Sequence, residues 1–219
     1  MPSLAHLLRA SSSHGAPFDA RAACAIAAQV CAQLERPHGS VAPATILVDW
    51  DGSVTLERSG HAPGSALPYM APERLAGAEP DARSDVHAVA MVLLELVTGR
   101  AARPTAGLTL SGDLPVELVQ LLERSSSADA TWRHSSPREM GAWLALAEEE
   151  GGGAMSRDDL AGWLAERFGR PVGAVSGRVS STVSAVTARQ VRADGREDGW
   201  TRRRRSGRLV DLCPSCTAA

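Results

Sequence analysis

The stretch Asp81–Arg100, DARSDVHAVAMVLLELVTGR, decides how this chain folds. From Ser84 to Thr98 it carries Val86, Val89, Ala90, Val92, Leu93, Leu94, Leu96 and Val97, so a helix here is apolar on nearly every side. Such a helix belongs at the centre of a domain, because no face of it suits water. Gly99 follows as the residue best able to close the helix in the left-handed conformation. A buried central helix requires other elements to cover it, and the flanking sequence supplies them.

On the N-terminal side, Ala22, Ala23, Ile26, Ala27, Val30, Cys31 and Leu34 recur at intervals of three and four. This spacing predicts a helix from Phe18 to Glu35, with Asp19 near its positive end and Pro37 ending it. Leu4, Leu7 and Leu8 form a short helical stripe, and Ser11 to Pro17 reads as a loop. Thr45–Val48 and Val54–Leu56 are strand-like runs around Asp51-Gly52, a strong hairpin signal. Ser59 to Pro68 reads as a further loop.

On the C-terminal side, Leu114 to Arg124 predicts one helix. Ser136-Pro137 opens another, with proline at the first helical position. Glu148 to Gly153 reads as a linker. Ser156 to Phe168 predicts an amphipathic helix, with Ser156 and Asp159 resembling a capping box. Trp163 and Phe168 are its anchors if it docks on the domain; an interaction helix is the alternative. Beyond Pro171, Val172, Val175, Val179, Val183 and Val186 keep helical spacing among poor helix formers, so this part is weakly helical or disordered. The cluster Arg202–Arg205 reads as a solvated basic tail. The expected organisation is a mostly α domain over 1–148, a linker and extension helix over 149–170, and a weakly structured basic tail over 171–219.

Composition narrows the chemistry. The 219 residues carry a formal charge of −2, which gives the chain as a whole no strong pull toward nucleic acid or membrane. Aromatic residues make up only 4%, which argues against stacking platforms for single strands. There is no lysine and no asparagine, and all 23 basic residues are arginine, as a GC-rich coding sequence would give. Any mechanism needing a lysine ammonium or an asparagine amide is closed to this chain acting alone. Cys24 and Cys31 fit a helix interior as small hydrophobes. Cys213 and Cys216 form a lone C-x-x-C, short of the four ligands of a structural zinc site, so no metal is expected. No apolar run is long enough for a membrane span, no secretory leader is evident, and a reducing, cytoplasmic location is expected.

Four segments, in order, resemble the C-terminal lobe of eukaryotic-type Ser/Thr protein kinases. His38-Gly-Ser-Val-Ala-Pro-Ala-Thr-Ile-Leu-Val48 aligns without a gap on the family's H-R-D-x-K-P-x-N catalytic loop and the strand after it. Leu67-Pro-Tyr-Met-Ala-Pro-Glu-Arg74 is similar to the end of the activation segment. Asp81–His87 and Glu95–Arg100 match the entry and exit of the central helix. Trp132-Arg133 before Ser135-Ser136-Pro137 resembles the arginine ahead of the last lobe helix. The resemblance covers about residues 4–147. It implies a helical lobe with a small β-hairpin, and an N-terminal lobe that is absent because the chain starts near the hinge.

By this resemblance Glu73 pairs with Arg133, Asp85 accepts backbone amides of the loop around His38, and Ile46, Leu47 and Val48 form the nucleotide floor over Val92 and Leu96. The catalytic positions depart from the family. The proton-accepting aspartate is Ser40, the lysine two residues on is Ala42, the magnesium-binding asparagine is Thr45, and the D-F-G aspartate falls at Arg58, followed by Ser59 and Gly60. The segment up to Ala71 is short, with Ala66 in place of the usual threonine. The family's chemistry is positioning plus charge neutralisation. Serine is no base near neutral pH, and arginine cannot ligate Mg²⁺.

The resemblance therefore implies a pseudokinase-like, non-catalytic interaction module. No cofactor is expected, and ATP with Mg²⁺ only if the chain is a kinase completed by an N-lobe from elsewhere. A decaying gene product is the third reading. A protein partner is expected on an apolar patch around Leu4, Leu8 and Leu47, where the N-lobe would sit; no nucleic acid is.

Overall fold

The computed structural model describes residues 1–13, 17–58, 63–101, 114–169, 201–205 and 208–212. Two compact units result, Met1–Val175 and Ser176–Ala219.

The first unit is mostly helical. Its elements in order are α1 (Leu4–Ser13), α2 (Ala20–Gln33), β1 (Ile46–Val48), β2 (Val54–Leu56), a 3₁₀ segment (Pro63–Tyr69), α3 (Pro72–Leu75), α4 (Ala82–Thr98), α5 (Val116–Ser125), α6 (Pro137–Glu150) and α7 (Arg157–Phe168). Helix α4 is the buried centre expected from its pattern: Val86, Val89, Leu93 and Leu96 are almost wholly removed from water. Each such side chain contributes roughly 1.5–3 kcal/mol relative to exposure. Asp81 and Ser84 cap the start of α4 reciprocally, and Gly99 closes it at φ +65. Helices α2, α5 and α6 surround it. Cys24 and Cys31 are free, buried thiols, each pushed up to about 12 by burial, and so unreactive.

The β1–β2 hairpin pairs Ile46 with Leu56 and Val48 with Val54 around the Asp51-Gly52 turn. Both of its edges are covered. Along β2, the side-chain amides of Gln29 and Gln33, one turn apart on α2, act as a substitute strand. Gln29 accepts from Val54 N–H at 3.1 Å and donates to Gly52 O, while Gln33 accepts from Leu56 N–H at 3.0 Å and donates to Val54 O. Along β1, Ser3 bridges to Leu47, and Val48 N–H donates to Pro2 O at 3.0 Å.

Several boundaries differ from the sequence expectation. Helix α1 continues to Ser13, past the expected loop start at Ser11, because Ser11 is buried and its hydroxyl receives Arg167 of α7. Helix α2 ends at Gln33, ahead of Pro37: Leu34 leaves the helix with its side chain buried in the core. Part of the expected loop 59–68 is 3₁₀ helix. Helix α6 runs on to Glu150, into the expected linker Glu148–Gly153, since Ala147 and Glu148 are buried.

Helix α7 belongs to the first unit and docks on it. Trp163 and Phe168 both meet Phe18, with ring centroids 5.0 and 5.8 Å apart, and Leu160 and Leu164 are buried. Ser156 and Asp159 form the expected capping box. The start of α7 rests on the hairpin turn, where Arg157 pairs with Asp51.

The second unit contains an antiparallel pair, β3 (Thr201–Arg205) and β4 (Arg208–Leu212). Arg202–Arg205, expected in a weakly structured or disordered tail, lie in a strand. The valines from Val172 to Val186, and Cys213 with Cys216, lie outside the described residues.

Gly52 has φ +79, and a Cβ there would sit 2.0 Å from the backbone oxygen of Arg157. Gly52→Ala is expected to lower stability by more than about 1 kcal/mol in urea denaturation, through both backbone strain and displacement of α7.

Candidate functional site

The loop between α2 and β1 hangs from the first turn of α4. Asp85 is buried, and its carboxylate accepts His38 N–H at 2.6 Å and Gly39 N–H at 2.9 Å. Burial raises the Asp85 pKa, and the two amide bonds oppose that rise. Gly39 has φ +75 and stands where a Cβ would meet Pro80 at 2.8 Å, so glycine is required. The His38 ring binds on both sides. Its Nδ1 faces the Ser40 amide at 3.3 Å, so the opposite Nε2–H donates to Glu57 O at 3.0 Å.

The positions aligned with catalytic groups are occupied by internal hydrogen bonds. Ser40 Oγ lies 3.3 Å from His38 Nδ1. Thr45 is buried; its hydroxyl donates to Ala42 O at 2.9 Å and accepts Ala42 N–H at 3.1 Å, which closes the turn. Ala42 is fully buried and offers no polar side chain. Arg58 points its guanidinium at two backbone carbonyls, Pro37 and Arg36, each at 3.3 Å. Ser59 and Gly60 lie outside the described residues. The space bordered by Gly39, Ser40, Ala66, Arg74 and Asp85 is about 10 Å³, room for one water and not for a phosphate.

These residues do not fit a magnesium–nucleotide complex. Mg²⁺ requires oxygen ligands in near-octahedral array. Thr45 has its hydroxyl engaged by Ala42, and Arg58 brings a positive charge. Among the described residues, no group of three or more His, Cys, Asp or Glu could hold a metal ion.

The floor residues divide by strand alternation. Ile46 and Val48 are buried, and Ile46 adjoins Val92 and Leu96 across a small gap with Ile26 and Val30. Leu47 faces the other way and is half-buried. The expected exposed apolar patch is not formed. Leu4 is 0% and Leu8 7% exposed, because α1 folds back and the segment Pro2–Ser3 joins the edge of β1. The exposed large apolar side chains include Leu67, Leu75, Trp132 and Trp143 instead.

The strongest polar contact is Glu73 with Arg133. The Arg133 side chain is 0% exposed and that of Glu73 28%. Nη1 and Nη2 donate to the two Glu73 oxygens at 2.6 and 2.9 Å. The remaining guanidinium hydrogens reach Arg83 O, Ala128 O and Ser127 O, so all five are satisfied. Arg133 holds the Glu73 carboxyl below its usual range, mainly through the hydrogen bond.

Sequence reading missed three polar contacts. His87 lies near this pair and contacts Tyr69 O at 3.4 Å; burial, then the Arg133 charge, lowers its pKa to about 4. Tyr69 O–H donates to Glu95 at 2.5 Å. Ser125 and His134, both buried, meet at 2.8 Å. His87 and Glu95, polar residues inside the apolar run of α4, were the available signal.

No family model matches this chain, and no curated protein matches it.

Two outcomes follow from this geometry. Glu73→Ala leaves a buried guanidinium without its counter-charge and is expected to cost about 3–5 kcal/mol by denaturant titration; Arg133→Lys is expected to fail as a replacement, since an ammonium cannot reproduce the fork. For His87, the folded pKa of about 4 lies below the unfolded 6.5, so the unfolded chain binds the extra proton between those values. Its contribution to stability is present above pH 6.5 and falls toward pH 4, by up to about 1.4 kcal/mol per pH unit. His87→Gln is expected to flatten the stability–pH curve in that window.

Proposed function

We propose that this chain is a pseudokinase-like, non-catalytic module whose role is protein interaction or regulation. The observation that carries this reading is a contrast within one lobe. The ties that would hold a kinase C-lobe together are present: Asp85 on the His38 and Gly39 amides, and Glu73 on Arg133. The positions where phosphoryl transfer needs a base and metal ligands hold Ser40, Thr45 and Arg58. Phosphoryl transfer depends on neutralising the phosphates and accepting the hydroxyl proton. Two hydroxyls engaged with neighbouring groups and one guanidinium bound to carbonyls supply neither.

The interaction role draws on the other end of the lobe. The Glu73–Arg133 pair joins two chain segments distant in sequence, one carrying Leu75 and the other Trp132. These side chains are 53% and 72% exposed. Large exposed apolar groups on a rigidly tied framework suit a protein partner better than solvent.

Purified protein incubated with labelled ATP and Mg²⁺ or Mn²⁺ is expected to transfer no phosphate to itself or to a generic protein substrate. Transfer that disappears on Ser40→Ala would overturn this reading.

A further inference from the structure

The net charge of −2 conceals a segregation. Residues 176–219 carry nine arginines against four carboxylates, whereas residues 1–175 carry 14 arginines against 21 carboxylates. Five of the seven residues from 202 to 208 are arginine. Four of these occupy β3, and the fifth opens β4.

The register arranges them. Arg202 pairs with Asp211, Arg203 with Val210, Arg204 with Leu209, and Arg205 with Arg208. Alternate strand positions share a face, and directly paired positions share it too. Positions 203, 205 and 208 therefore fall on one face of the ribbon, together with Thr201, Val210 and Leu212. No carboxylate position falls on that face; Asp211 belongs to the other. Like charges at directly opposed positions, as at Arg205 and Arg208, disfavour an isolated pair of strands. A polyanion laid along that face removes the repulsion.

We propose that the strand pair β3–β4 binds duplex DNA, with the face bearing positions 203, 205 and 208 against the phosphates. Alternate strand positions lie roughly 6.6–6.8 Å apart, close to the spacing of successive phosphates along one strand. A two-stranded ribbon fits the major groove of B-DNA, whereas the deep major groove of an RNA duplex is too narrow. Arginine's planar fork suits phosphate oxygens better than an ammonium does. Basic segments that bind membranes act from an amphipathic helix or beside a spanning one, and this ribbon is neither. The inference departs from the solvated tail expected from sequence, and it rests on the ribbon alone, independent of the kinase-like reading.

The test is fluorescence anisotropy of a short labelled DNA duplex titrated with the full-length chain, between about 50 and about 200 mM salt. The logarithm of the binding constant is expected to fall linearly with the logarithm of salt concentration. The triple variant Arg203→Ala, Arg205→Ala, Arg208→Ala is expected to lower the slope by about 2–3, near 0.9 per lost phosphate contact. The corresponding triple lysine variant is expected to keep most of the slope, which separates charge from strand formation. Four results would overturn the proposal: no binding at low salt, an unchanged slope in the alanine variant, equal loss in the lysine and alanine variants, or tighter binding to phosphatidylserine vesicles than to the duplex.

Discussion

A charged guanidinium in the interior organises the first unit. Arg133 has no exposed side-chain surface, yet it remains an ion, because arginine does not deprotonate in proteins. Removing it from water costs several kcal/mol, and that cost is offset only when every hydrogen finds an acceptor. Glu73 supplies two acceptors, and the carbonyls of Arg83, Ser127 and Ala128 supply the others. Short helix α3, the first turn of α4 and the segment after α5 must therefore hold one mutual arrangement.

The same logic governs the loop at His38. Its backbone turns sharply and leaves amides that no helix or strand can accept. Asp85 takes two of them, and Thr45 closes the turn beyond. At the hairpin, Gln29 and Gln33 serve the outer edge of β2. Polar side chains around the His38 loop and the hairpin thus complete the backbone's hydrogen bonding. A group held in this way is poorly placed to exchange protons or ligate a metal, since either act would break a bond that the fold requires. That link between satisfied backbone and chemical quiescence underlies the functional reading.

Much was legible before any coordinates. The periodicity of Ser84–Thr98 marked α4 as the core, Asp-Gly marked the hairpin, and Ser156 with Asp159 marked the start of α7. The match of Glu73 with Arg133, and of Asp85 with the His38 loop, was expected by resemblance alone. The exposed patch at Leu4 and Leu8 was not there, because a short apolar stripe does not say what will cover it. Both leucines are buried, and the segment Pro2–Ser3 joins the edge of β1 through a long-range contact at Leu47.

Local periodicity, turn chemistry and capping reside in neighbouring residues, so the amino-acid order by itself determined most helices of the first unit, its hairpin, the identity of the central helix and the presence of two hydroxyls and a guanidinium at Ser40, Thr45 and Arg58. Tertiary structure alone decided where polar groups find partners: which carbonyls hold Arg133, which amides Gln29 and Gln33 meet, how His87 comes to lie neutral near a buried ion pair, and where α1 and α6 end. The typical case is a pairing across tens of residues, as between Arg133 and Glu73 or between Gln29 and Val54. Its free energy depends on burial and geometry that no local window of sequence contains.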